Sequence, residues 1–374
     1  MIEIKKESED EMKRVYIWGT GRIAEYIYHY YKDNQEINLI VGCIDNDSSK
    51  EGSFFHDVPI LKPSVLEEDR DCYIIILAAA YKEIERRIIE DYPWMAGRLE
   101  SPLLFTKYRL LSRYQKSSNP EIIKVMDYLT DHPLQVFNYT FTSQYQNDDY
   151  EVSYDSEKGL FYALFENKKM YFSRFYRQKK EIQDYCRQIM MEQDRDSPHK
   201  YLTEQFGVNE NSIVVDAGAA EGNFALSIID KVKKIYLFEP DFHWAEALKY
   251  TFEPYADKVT IVNKYLSDYT DNHTVMLDTY LMGQQVDFIK LDIEGEEYHA
   301  LQGAKEIISA SNKMKCVVCT YHQEYDYIVL NQLFKELGYK TEPSKGYMWF
   351  PYDKNIVYSL PSLRRGLIRA KKEK

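Results

Sequence analysis

The chain has 374 residues, 44% of them apolar, and a formal net charge of −12. That length holds two or three domains with full cores and excludes a disordered or fibrous protein, while the acidic balance excludes broad nucleic-acid binding, which needs a cationic surface to displace phosphate counterions. Scattered cysteines (Cys43, Cys72, Cys186, Cys316, Cys319), a first segment MIEIKKESEDEMK with no apolar stretch, and no run of about 18 apolar residues predict a cytoplasmic enzyme without a disulfide framework or a transmembrane segment.

In chain order, 15–18 reads as a strand, followed by a glycine turn and a helix over 23–31. A second strand over 38–44 ends at Asp45. The nearly continuous apolar run 72–79 reads as a central parallel strand, with a helix over 82–90 after it. This alternation predicts a doubly wound α/β domain over 14–106. Gly19-x-Gly21-x-x-Ala24 directly after the first strand, with Asp45 beyond it, is a reduced form of the dinucleotide fingerprint. The stretch CIDNDSSKEGSFFHDVPIL resembles the N-terminal domain of bacterial sugar acetyltransferases and related nucleotide-sugar modules. A nucleotide-sugar, a sugar phosphate or NAD at Gly19, Gly21 and Asp45 are the ligand readings, and a purely structural domain is the other. NAD-driven redox chemistry is not expected, and neither Tyr26 nor Tyr81 has the lysine four positions on that such enzymes place beside the cofactor.

Residues 107–149 read as a helical connector. Asn119-Pro120 starts a helix carrying Ile122, Ile123, Val125, Met126 and Leu129. The run 150–173 alternates as a meander of two hairpins, with Gly159 in the first turn. Ser197-Pro198 then suits a helix start and Gly207 a helix end. Strands follow at 213–216, 234–239, 259–263, 286–292 and 315–321 with helices between them, and 346–351 and 355–360 form a closing antiparallel pair. The expected fold is therefore α/β with two Rossmann-like domains, the second (150–360) a parallel sheet with a terminal hairpin behind a small meander. The basic stretch 361–374, with Leu363, Leu367 and Ile368 as a narrow stripe, reads as a frayed solvated terminus or as a surface helix touching anionic lipid.

The chemistry concentrates in the second domain. In VVDAGAAEGNFAL a strand ends at Asp216, and a loop of Gly218, Ala220, Glu221 and Gly222 leads into a helix near Asn223. Small residues there let backbone approach a ligand closely, and Asp216 can accept from an ammonium directly or through water. In IYLFEPD, Glu239 and Pro240 end the next strand, 23 residues after Asp216, where an acid can hold ribose hydroxyls. Ser267 and Asp268 follow the third strand, where Asp268 can accept from an adenine amino group or simply form a turn. In VDFIKLDIEGEEYHALQGA, Lys290, Asp292 and Glu294 alternate and so share one side of an extended strand. Lys290 reads as an ion-pair partner that orients Asp292. Cys316 and Cys319 lie three apart in an apolar strand and point to opposite faces, which argues against a metal pair.

Together the strings DAGAAEGNFAL, FEPD, LSD and DFIKLDIEGEEYHALQGA resemble the FkbM family of methyltransferases over roughly 150–352, as does MEQDRDSPHKYL before them. The resemblance implies a class I methyltransferase fold, S-adenosylmethionine as cofactor, and O-methylation of a small-molecule or glycan hydroxyl. Ala220 departs from the glycine often found there, which is tolerable if its backbone is not left-handed. Asp292, Glu294 and His322 are the catalytic candidates. Either Asp292 and Glu294 hold a magnesium ion, or His322 takes the hydroxyl proton. A nucleotide-sugar oxidoreductase or epimerase and a non-catalytic S-adenosylmethionine-binding module are the rival readings.

Overall fold

A computed structural model of the chain describes residues 14–21, 24–25, 28, 40–78, 80–100, 102–145, 150–351 and 361–372. The chain divides into two compact units. The first comprises 1–119, 126–135 and 351–361, and the second 120–125, 136–350 and 362–374. Among the described residues no helix is long and apolar enough to cross a membrane.

The first unit is built on six strands: β1 (Val15–Trp18), β2 (Ile40–Ile44), β3 (Phe54–Phe55), β4 (Val58–Leu61), β5 (Tyr73–Ile76) and β6 (Leu99–Glu100), in the order β3-β4-β2-β1-β5-β6. Every neighbouring pair is parallel except β3–β4. Ile17, Cys43 and Ile75 fill one face, and Trp18, Ile44 and Ile76 the other, as a period of two requires. The expected helix at 23–31 is seen only at Ala24, Glu25 and Tyr28, the rest lying outside the described residues. The helix Tyr81–Asp91 agrees with its expected place. Helices Pro102–Tyr114 and Pro120–Asp131 occupy the connector, and Val125 and Leu129 are buried there.

The second unit opens with the antiparallel meander β7 (Val152–Asp155), β8 (Leu160–Phe165) and β9 (Lys168–Tyr171). Gly159 in its first turn and Glu166-Asn167 in its second have positive φ, the twist that tight hairpins need. Next comes a helix at Lys179–Glu192, not at 198–206. Its start carries a capping box between Gln178 and Glu181, and Ile182, Cys186 and Ile189 form its buried stripe. The expected helix after Ser197-Pro198 is absent because Ser197 Oγ accepts locally from the His199 N–H, and Thr203 and Phe206 bond each other reciprocally through their backbones.

The main sheet contains β10 (Ile213–Ala217), β11 (Lys234–Phe238), β12 (Val259–Val262), then, beyond the short pair β13 (Tyr265–Leu266) and β14 (Thr274–Val275), β15 (Phe288–Leu291), β16 (Lys315–Cys319) and β17 (Tyr339–Pro343). After another short pair, β18 (Met348–Trp349) with β19 (Leu363–Arg364), the strand β20 (Leu367–Lys372) completes it. The order is β12-β11-β10-β15-β16-β20-β17, with β20 antiparallel to both neighbours, which is the sheet of a class I methyltransferase. Val214, Leu237, Phe288 and Val317 face one core, and Val215, Phe238, Ile289 and Val318 the other. Cys316 and Cys319 fall on opposite faces, and all five cysteines are buried and free.

The closing pair differs from expectation. The residues 355–360 lie outside the described ones, and the strand that pairs with β17 is β20, inside the stretch read as a frayed or membrane-touching tail. Its arginines misled because they are used internally. Arg369 donates from Nε to the Tyr201 carbonyl at 3.0 Å, and Arg365 sits 2.6 Å from Glu121. Between them Leu367, Ile368 and Ala370 are fully buried. Leu367→Ala should therefore destabilise the second unit by about 2–5 kcal/mol, the usual cost of a large-to-small change in a core. A denaturant melt checks this, and an unchanged midpoint would return 361–374 to a solvated tail.

Candidate active site

The C-terminal ends of β10, β11, β15 and β16 share one edge of the sheet, and the chemistry-bearing residues gather there. Gly218, just beyond β10, has φ +70°, and a methyl group on it would lie 1.8 Å from the Asp292 carbonyl oxygen. Only glycine permits the loops after β10 and β15 to approach this closely. Lys290 is the ladder partner of Asp216. Its ammonium lies 3.1 Å from Asp216 Oδ1 and donates to the carbonyls of Gly218 (2.7 Å) and Ala217 (3.2 Å). Burial pushes Lys290 toward neutrality, but the charges of Asp216 and Asp292 outweigh it and keep the amine protonated. The expected ion pair thus forms with Asp216 rather than Asp292. Asp216 itself is wholly buried, so it braces the loop from beneath.

Ala220 has φ +44°, so the backbone is left-handed at the position where that was the condition against an added methyl. Such a conformation costs an L-residue about 1–2 kcal/mol. The Ala220 N–H is held by a hydrogen bond to Glu239 Oε2 at 2.9 Å, and the Asp241 N–H donates to Oε1 at 2.9 Å. Each Glu239 oxygen therefore takes one backbone donor and keeps a lone pair. Asn263 Nδ2 donates to the carbonyls of Glu239 and Pro240, fixing the end of β11. Gly222, at φ +87°, leads into the helix Asn223–Ile228, where Asn223 is buried. Ser267 is buried beside Asp268, whose exposed carboxylate pairs with His299 Nδ1 at 2.9 Å and is lowered by that contact. Glu221 belongs to a different environment. It accepts from Tyr185 Oη at 2.8 Å within a cluster of Tyr185, Tyr176 and Trp244, and burial pushes its carboxyl up to about 7.

Asp292 is the hub of the edge. Tyr201 Oη donates to Oδ2 at 2.6 Å and Tyr321 Oη to Oδ1 at 2.9 Å. His199 Nε2 lies 3.4 Å from Oδ2 and His322 Nε2 3.4 Å from Oδ1. The far nitrogen of each ring faces a second carboxylate: Glu192 at 3.9 Å from His199 Nδ1, and Glu297 at 2.9 Å from His322 Nδ1. Burial pushes Asp292 up, but His199, Lys290 and His322 together hold it well below the usual carboxylate range. Burial pushes His322 down, while Glu297, Asp292 and Glu294 outweigh it and raise the ring to about 9. The ring is then an imidazolium at neutral pH and has no lone pair with which to take a proton.

Of the three catalytic candidates, the structure brings Asp292 and His322 together and leaves Glu294 outside. The strand stops at Leu291, and Glu294 turns left-handed (φ +59°) with its side chain 89% exposed, 3.9 Å from His322. Glu297, three residues further along and only 1% exposed, takes the place expected for Glu294. The clusters with metal-ligand spacing among the described residues are Asp292, Glu297 and His322, and His199, Asp292 and Cys319. Sequence reasoning missed Glu297, His199, Tyr201 and Tyr321. The run containing His199 and Tyr201 was noticed, but its helical reading hid their inward orientation.

In the first unit Gly19 has φ +101° and packs against the Leu77 carbonyl, while the space beside Gly21 is open. Asp45 is filled by the protein's own donors: the Thr20 N–H (3.1 Å) and hydroxyl, Lys50 Nζ (2.9 Å) and the Asp47 N–H (2.9 Å). Burial pushes it up, and these bonds bring it down to about 2.

Residues 257–341 match the family model described as Methyltransferase FkbM domain, and residues 11–92 match the one described as C2185-like, N-terminal, a description that names no ligand. No curated protein matches the chain. Among solved structures, Methyltransferase FkbM from Methylobacillus flagellatus KT is 14% identical, with 96% of this chain and 90% of that one covered and a TM-score of 0.42. An rRNA methylase from Streptococcus thermophilus is 15% identical over 45% of this chain and 90% of its own, with a TM-score of 0.31. Precorrin-6y C5,15-methyltransferase from Geobacter metallireducens GS-15 is 12% identical over 44% and 82%, with a TM-score of 0.32.

The Glu221 carboxyl supplies a pH test. Its folded value, about 7, lies above its ordinary 4.5, so the folded state binds the extra proton. The stability this contributes is complete below pH 4.5 and is lost as pH rises through about 7, about 3 kcal/mol in all. Glu221→Gln should flatten the pH dependence of the urea midpoint between pH 5 and 8 relative to wild type. Parallel curves for the two proteins would place the ionisation elsewhere.

Proposed function

We propose that the second unit binds S-adenosylmethionine across the edge formed by β10, β11 and β15 and transfers its methyl group to a hydroxyl of a sugar, glycan precursor or other small molecule. The observation that carries this reading is the Glu239 clamp. A buried carboxylate at the end of β11 is held by the Ala220 and Asp241 N–H groups with a lone pair left on each oxygen, which suits two ribose hydroxyls. The loop Gly218–Asn223 would lie along the amino-acid end, with Pro240 and Asp268 toward the base. Asp216 acts at one remove, by holding Lys290 and through it the loop carbonyls.

Methyl transfer is an in-line displacement at a sulfonium, so holding the acceptor oxygen on the methyl axis supplies much of the rate. Asp292 is suited to that task. It is partly exposed, and the tyrosines and histidines around it fix both of its oxygens. The transfer consumes the positive charge of the sulfonium and releases the hydroxyl proton; Asp292, held well below the usual carboxylate range, orients the hydroxyl as a hydrogen-bond acceptor, and the proton leaves to water as the methyl is transferred. His322, as an imidazolium, orients Asp292 instead of serving as the base. The free buried cysteines suit a reducing, cytoplasmic setting. The first unit is read as an accessory domain that takes a nucleotide-sugar or sugar phosphate if it takes a ligand, with Asp45 braced by Thr20, Lys50 and Asp47.

Calorimetry with S-adenosylmethionine tests the clamp. Glu239→Ala should weaken binding by about 1.5–3 kcal/mol, the worth of charge-assisted bonds to two hydroxyls. Equal affinity in the two proteins would remove Glu239 from the site, and no binding by wild type would end the reading. A second assay follows labelled methyl groups onto a panel of sugars and nucleotide-sugars, with NAD reduction monitored in parallel. Turnover of NAD with no methyl transfer would move the chemistry to the first unit.

A further inference from the structure

The β15 loop does more than present Asp292. The left-handed residues Glu294 and Gly295 (φ +59° and +97°) reverse the chain so that Glu297, the first residue of the helix Glu297–Gln302, folds back beneath the strand end. There Glu297 Oε1 accepts the Ile293 N–H at 3.0 Å and lies 2.9 Å from His322 Nδ1. Its other oxygen, Oε2, is buried and has no hydrogen-bond partner. A buried carboxylate oxygen left unpaired is costly and needs a compensating positive group.

The charge around His322 points the same way. Asp292 and Glu297 flank the ring, and Glu294 lies 3.9 Å away. The neighbouring cations are committed elsewhere. Arg364 Nη1 donates to the carbonyls of Tyr321 and His322, and Lys290 is bound to Asp216 and two carbonyls. One atom each from Asp292, Glu297 and His322 lies within 4.8 Å of the others. An ion bound at about 2.0–2.2 Å from each needs those atoms only slightly closer, a movement under about 1 Å per side chain.

We propose that Asp292, Glu297 and His322 form a binding site for a first-row divalent transition metal ion of the manganese or zinc class. Two carboxylates and an imidazole suit these ions better than magnesium, which prefers oxygen ligands alone. The ion takes the place of the ring proton as the positive charge joining the carboxylates. The site differs from the magnesium pair that the sequence left as one alternative, because Glu294 is solvent-exposed and Glu297 replaces it. It does not depend on methyl transfer, though an ion there would lie beside the proposed acceptor.

The test uses the full chain, stripped with a chelator, and manganese chloride or zinc chloride alone. Calorimetry, together with loss of the free manganese resonance signal, should show one ion per chain. Glu297→Gln and His322→Ala should each weaken binding at least tenfold, while Asp230→Asn, on an exposed acid elsewhere, should leave it unchanged. If Glu297→Gln fails to fold, Asp292→Asn carries the same expectation. No binding up to about 1 mM, or wild-type affinity in the folded ligand variants, would overturn the site. S-adenosylmethionine binding is measured on the same samples. A chain that binds the ion but not the cofactor sinks the methyltransferase reading alone, and the reverse result sinks only the metal site.

Discussion

A side chain of even one carbon at Gly218 would drive into the Asp292 carbonyl, so the loops leaving β10 and β15 meet backbone to backbone. Lys290 is the cation at that seam. It neutralises the buried Asp216 in the adjacent strand and draws two loop carbonyls onto the same ammonium. Removing one member of such a buried pair typically costs about 3–5 kcal/mol, because the other charge is stranded. The cost here would not stay local. The seam fixes where Gly218 to Asn223 can run, and it also fixes the carbonyl of the residue whose side chain organises the opposite half of the site.

That opposite half is assembled over long sequence distances. Tyr201 and His199 arrive from the segment before the sheet, Tyr321 and His322 from the end of β16, and Arg369 in β20 holds the Tyr201 carbonyl in place. Four donors converge on one carboxylate, so each limits the rotamers of the rest. Networks of this kind are rigid when every member is satisfied and costly when one is not. Their strength is also why Asp292 sits so low on the acid scale and His322 so high: burial opposes both charges, and mutual attraction outweighs burial.

Much of this was legible in the sequence where local chemistry and tertiary structure agree. The apolar runs before Asp216, Glu239 and Asp292 are strands, and the acids stand at their C-terminal ends. Legibility failed where a local rule was extended past its range. Period-two alternation placed Glu294 beside Asp292, but the strand had already ended at Leu291. The Ser197-Pro198 pair reads as a helix start, yet the hydroxyl satisfies a turn and leaves His199 and Tyr201 to pack inward. Ala220 looked acceptable only outside the left-handed region, and the structure puts it inside, held by Glu239. The arginines of β19 and β20 advertised a surface, because a sequence does not show that backbone carbonyls await them.

The position of β20 bears on how the protein is made. It is the latest strand of the sheet in chain order, yet it lies between β16 and β17. While the chain leaves the ribosome, β16 has no partner on that side, and β17 cannot join the sheet until residues 367–372 have emerged. The newborn second unit therefore spends its synthesis with an apolar strand edge open, the kind of edge that invites pairing with another chain. The sheet of this unit can close only after β20 has been made. A polypeptide stalled or cleaved before β20 would hold nearly all of the proposed cofactor-binding residues and still be a substrate for chaperones rather than an enzyme.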